Sequence, residues 1–110
     1  MVPSDPMPLA PRDLLILSVL SNGPLHGYGI VRAVEERSES GVRLDPANLY
    51  RALRRMRRDG WIREADEEGE DGRRRTFALT RQGEAVLRAE VVRLEALLRN
   101  VRPAPAGGRR

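Results

Sequence analysis

The chain has no cysteine, no lysine, one histidine and few aromatic residues: one tryptophan, two tyrosines and one phenylalanine. Without cysteine, disulfides and thiolate metal sites are excluded. One histidine, His26, cannot build a zinc site unaided. No apolar run approaches the roughly 20 residues that span a bilayer. Met1 to Pro8 lack the basic flank and apolar stretch of a signal peptide. The expected compartment is therefore the cytoplasm, and no cofactor is expected. The length of 110 residues suits one domain. A core this small buries only about two-thirds of the unfolded surface, so extra burial against a second copy would help.

All twenty basic residues are arginine, and the formal net charge is +4. Position says more than the sum. Between Pro46 and Arg63 lie Arg51, Arg54, Arg55, Arg57, Arg58 and Arg63, against one acid, Asp59. The next stretch, Glu64 to Gly72, holds Glu64, Asp66, Glu67, Glu68, Glu70 and Asp71 and no base. Three consecutive arginines, Arg73 to Arg75, follow. Such segregation predicts one basic face rather than a generally basic surface.

Prolines 3, 6, 8 and 11 mark an extended lead-in over residues 1–11. Arg12 to Ser21 reads as a first helix, and its dense leucines predict burial on most sides. Asn22-Gly23-Pro24 stops it. A second helix spans about His26 to Ser38. Asp45 caps a third, with Pro46 at its first position, and Gly60 ends it. Trp61 to Arg63 begins a strand, and Arg73 to Leu79 forms a second one after an acidic, glycine-containing turn. Thr80 caps a last helix, about Arg81 to Val101. Residues 103–110 form a proline- and glycine-rich tail expected to be disordered. The predicted fold is mainly α with a β-hairpin: a winged helix-turn-helix over residues 12–80 and a C-terminal dimerisation helix over 81–102.

In that order the third helix reads DNA. On a helical wheel Leu49, Leu53 and Met56, with Ala52, form the core side. Ala47, Arg51, Arg54 and Arg58 form the opposite face. Tyr50 and Arg57 flank it on one side, Asn48 and Arg55 on the other. Ala47 lets the backbone come close to DNA. Asn48 and Tyr50 can donate to phosphates or base edges. Arg51 and Arg54 can grip guanine or phosphate. A solvated arginine face is the plain alternative. Five acids between Asp66 and Asp71 would repel phosphate, so the wing tip is expected to stay away from DNA. Strand alternation sets Arg73 and Arg75 with Phe77 and Arg74 with Thr76. Arg74 is the favoured wing contact and Arg73, near the turn, the second.

His26 reads as a helix-start hydrogen-bonder, with no nucleophile or orienting carboxylate near it in sequence. Gly27 and Gly29 make no phosphate loop, because no strand is expected to precede them. No enzyme chemistry emerges. In the last helix Leu87, Val91, Leu94, Leu98 and Val101 repeat at alternating spacings of four and three. In a simple parallel coiled coil Glu90 and Glu95 would face each other and repel. A wider stripe packed on the partner's first helix, through Leu14 and Leu17, fits better.

Together these residues resemble the PadR family, named for phenolic-acid-responsive repressors. Leu25-His26-Gly27-Tyr28 is similar to its His-Gly-Tyr segment. Leu49-Tyr50-Arg51-Ala52-Leu53 is similar to its reading-helix signature. Gly60-Trp61-Ile62, the Arg73–Thr80 strand and Gly83 follow in matching order. The chain departs from the usual pattern at Asn48, at Gly29 and in its acidic wing tip. The resemblance implies a homodimer that binds double-stranded DNA, the last helix packing on the other subunit. It also implies, for some members, a small-molecule pore at the interface. Here those helices offer aliphatic residues and no aromatic, so no effector is assigned. The expected function is a DNA-binding repressor. The competing reading is a winged-helix module that binds protein, and not DNA, through the acidic wing and the apolar helix.

Overall fold

Pro11 and Pro46 each open a helix, where a missing N–H costs nothing. Polar side chains cap the starts of three helices. The Asp45 carboxylate accepts from the Asn48 N–H at 2.8 Å, Thr80 Oγ1 from Gly83 at 3.0 Å and His26 Nδ1 from Gly29 at 3.3 Å. The computed structural model describes residues 8–67 and 74–105. In chain order the elements are α1 (Pro11–Leu20), β1 (Leu25–His26), α2 (Gly27–Arg37), α3 (Pro46–Arg58), β2 (Ile62–Glu67), β3 (Arg74–Leu79) and α4 (Arg81–Asn100). This is the expected winged-helix order of three helices, a hairpin and a final helix. The start of the lead-in, the wing tip and the end of the tail lie outside the described residues.

The sheet has one strand more than expected. Its order is β1-β3-β2, all antiparallel. Leu25 pairs with Phe77 and His26 with Thr76. Two residues are too few to show an alternating pattern in sequence. Flanked on both edges, β3 becomes the centre of the sheet, and Thr76, Phe77 and Ala78 are all buried.

Helix α1 was expected to need a partner to cover it, yet one subunit covers most of it. Ile16, Leu17, Val19 and Leu20 join Ile30, Val34, Leu49, Leu53, Met56, Ile62 and Phe77 in a single core. Leu17 has no exposed surface, which corrects its assignment to a dimer contact. Leu14, on the same helix, is half-buried and lies outside that core.

Helix α4 leaves the sheet through a very close approach. A Cβ on Gly83 would sit 2.0 Å from the Trp61 carbonyl oxygen. Thr80 reinforces the corner: its N–H donates to Trp61 O at 3.0 Å and its hydroxyl to Gly60 O at 2.6 Å. Gly60 itself takes a φ of 86°, which favours glycine.

Glu90 does not face outward as a coiled-coil flank would require. It is wholly buried, and its carboxylate accepts from Arg93 Nε at 2.9 Å, Arg93 Nη2 at 2.6 Å and the Leu9 N–H at 3.0 Å. The Arg93 hydrogen bonds hold its pKa below the usual 4.5, against the opposing pull of burial and with help from the Leu9 N–H. The folded pKa thus lies below the unfolded one. The stabilisation is present above the unfolded pKa and is lost as pH falls through the folded one. Glu90→Gln is expected to flatten the acid limb of stability against pH. Urea melts from neutral to acid pH check this, and an unchanged limb would count against the linkage.

Candidate nucleic-acid interface

Helix α3 turns Leu49, Ala52, Leu53 and Met56 into the core and leaves the other side bare. Ala47, Tyr50, Arg51, Arg54, Arg57 and Arg58 are exposed, and Asn48 is half-buried. The cap organises the first turn. Asn48 Nδ2 donates to Asp45 at 3.0 Å, and Asn48 Oδ1 accepts from Arg51 Nη1 at 2.8 Å. Arg51 is therefore held near the helix start rather than free. The Tyr50 hydroxyl lies against α2, where a Cβ on Gly27 would meet it at 2.4 Å. The contact joins the His-Gly-Tyr segment to the Leu-Tyr segment across the two helices.

Arg55 behaves differently from its neighbours. Its guanidinium forms an ion pair with Asp13 of α1, whose side chain is mostly buried. Position 55 precedes the core residue Met56 and lies on the side of α3 that meets α1. Arg55, expected to contact DNA from the flank of the reading face, is instead engaged with α1 in the single chain. Asp13 went unnoticed in sequence because an isolated acid in an apolar helix reads as an exposed group. Its Oδ1 atom is buried without a hydrogen-bond partner among the described residues.

The hairpin sets its charged end beside α3. A groove of about 420 Å³ opens between them, lined by Tyr50, Arg54, Arg57, Arg58, Glu64 and Arg75, with Leu53 and Phe77 at its floor. Glu64 pairs with Arg57, and its other oxygen lies 3.0 Å from Arg75 Nε. Arg57 and Arg75 were missed as site candidates. The signal was available for Arg75, because alternation sets it with Phe77 on the face that meets the reading helix. Arg73 and the side chain of Arg74, the wing contacts expected instead, lie outside the described residues.

At the far end α4 carries an apolar strip away from the core. Leu87 packs against the core, and Leu94 is half-buried. Val91, Leu98 and Val101 are exposed, as are Val92 and Leu97. Among the described residues, no cluster of His, Cys, Asp or Glu is arranged to hold a metal ion. None of the described helices is long and apolar enough to cross a membrane.

Three helices with a capped, arginine-bearing third helix and an antiparallel hairpin define a winged helix-turn-helix protein. The chain belongs to the transcriptional regulator PadR-like family, whose model matches residues 16–89. It is similar to a PadR family transcription regulator of Clostridium difficile, with a TM-score of 0.67 at 26% identity over 82% of this chain and 96% of that one. It is also similar to RosR of H. salinarum, with a TM-score of 0.64 at 27% identity over 90% of this chain and 84% of that one. An uncharacterised 37.1 kDa protein of transposon TN4556 from Streptomyces fradiae is 43% identical over 78 residues, 71% of this chain. The chain spans only 21% of that relative's length. The family is one of transcription regulators.

Proposed function

We propose that the chain is a repressor that binds an inverted repeat in duplex DNA as a homodimer. The observation that carries this reading is the open face of α3, where Ala47, Arg51, Arg54 and Arg58 stand exposed and Arg54 and Arg58 border the hairpin groove. A helix of this kind fits the major groove, with small residues allowing approach and guanidinium forks meeting guanine or phosphate. Family membership supports regulation of transcription, and the apolar strip on α4 supports pairing of two copies.

Titration of the protein against its own upstream DNA tests the reading. Binding is expected to weaken steeply with salt, with a log–log slope near −0.9 for each phosphate neutralised. Arg51→Ala and Arg54→Ala are each expected to weaken binding, by about 1–3 kcal/mol where the contact is bidentate to a base. Failure of the wild-type chain to bind duplex, or unchanged binding in both variants, would remove the proposed reading face. Salt-independent capture of a protein would instead support the interaction-module reading.

A further inference from the structure

We propose that Glu64 is a positioning residue that joins Arg57 of α3 and Arg75 of β3 into one phosphate clamp across the groove. The inference rests on the DNA-binding reading above and adds to it a contact shared by the reading helix and the wing.

Strand register sets which side chains meet α3. Ile62 pairs with Leu79 and Glu64 with Phe77, so these residues and Arg75 share the face of the sheet that meets α3. Near the helix-packed end the face is apolar, with Ile62 and Phe77 in the core. Two residues further along each strand it becomes charged, with Glu64 and Arg75. Arg57 reaches the same point from α3. One carboxylate oxygen therefore serves Arg57, and the other serves Arg75.

Among the described lining residues the charges do not balance: Glu64 is the one acid, against Arg54, Arg57, Arg58 and Arg75. Its side chain is only 18% exposed, while those of Arg57 and Arg75 are 59% and 67% exposed. A guanidinium has five N–H donors in a rigid fork. Arg57 commits one N–H to Glu64, Arg75 stands in ion-pair contact with it through Nε, and most of their donors stay towards solvent. Two guanidinium groups brought together without an anion would repel each other and splay apart. Glu64 removes that repulsion from below and leaves a net positive, donor-rich mouth above. A phosphate diester has the charge and the fork-matching oxygens to fill it. The duplex backbone is the source to which we assign it.

The test turns on sign. Simple electrostatics predicts that Glu64→Gln, which removes a negative charge from a DNA-facing groove, tightens binding. The clamp predicts the reverse. Glu64→Gln should weaken duplex binding by roughly five- to tenfold, as expected for losing an aligned charge-assisted contact. The salt slope should become shallower by about 0.9 if one phosphate contact is lost. Arg75→Ala should weaken binding similarly, and Glu64→Gln added to Arg75→Ala should cost little more, because the two act as a unit.

A second measurement needs no DNA. In the free protein the NMR signal of Arg75 Nε should move in Glu64→Gln, because its carboxylate neighbour at 3.0 Å is gone. Tighter or unchanged duplex binding by Glu64→Gln would overturn the clamp, and so would an Arg75 Nε signal that does not move in that variant. If Arg51→Ala and Arg54→Ala still weaken binding, the clamp alone falls. If the wild-type chain binds no duplex, the DNA reading falls and takes the clamp with it.

Discussion

Gly83→Ala is expected to destabilise the fold by more than about 4 kcal/mol, in the exceptional tail of single substitutions. The new Cβ would lie 2.0 Å from the Trp61 carbonyl oxygen, 2.9 Å from its carbon and 3.0 Å from Leu79 Cδ2. Two of these atoms are backbone, so no rotamer change relieves the clash. Helix α4 would have to lift from the sheet corner and strain the Thr80 bonds to Gly60 and Trp61. A domain with about 5–15 kcal/mol of total stability has little to spare. Gly29→Ala is the internal control. Its Cβ would meet nothing nearer than 3.5 Å, an ordinary contact. Helix propensity then favours alanine by up to about 0.5–1 kcal/mol. Paired urea melts check both signs. A loss below about 1 kcal/mol at Gly83 would mean that α4 can retreat at little cost.

Leu98→Arg is expected to abolish self-association and, with it, binding to an inverted repeat. Leu98 is 60% exposed in the single chain, so the change spares the subunit's own core. In the proposed dimer it is covered by the partner. A large apolar side chain moved fully out of water contributes about 1.5–3 kcal/mol. Placing an unpaired charge there instead adds a desolvation penalty. Both copies carry the change, so both costs are counted twice across a two-fold axis. The dissociation constant should rise at least about a hundredfold, since each 1.4 kcal/mol is a factor of ten. Sedimentation at micromolar concentration should show a folded monomer. A wild-type chain that is monomeric there, or a variant that remains dimeric, would refute this use of α4.

The order of elements was legible because each carries a strong local signal. Asp45-Pro46 and Thr80 announce helix starts, Gly60 a stop, and the Leu49, Leu53 and Met56 spacing a buried face. What escaped depends on contacts between distant parts of the chain. Strand β1 exists only because β3 offers an open edge to Leu25 and His26. Leu17 and Leu14 look equivalent in a leucine-rich helix, and only packing decides which one points inward. Arg55 stands among five other arginines with nothing local to set it apart, and its partner Asp13 is 42 residues away. Glu90 reads as one more charge on a solvated helix. Its burial depends on Arg93 one turn later and on a backbone N–H from Leu9, 81 residues earlier. Local rules see propensity and period, and they do not see which charged groups will find one another.

The Asp13–Arg55 pair has a mechanical consequence. It ties α3 to α1, the helix that carries the half-buried Leu14, and both helices feed the same core, α1 through Ile16 and Leu17 and α3 through Leu53. In a dimer built on α1 and α4, each reading helix would then be mounted on the interface itself rather than on a hinge. The two helices would behave like the jaws of a locked caliper, set about 34 Å apart for one turn of DNA. A tool of that kind measures its object rather than adapting to it. Discrimination between operators would then come as much from the length of the spacer as from the bases the arginines touch.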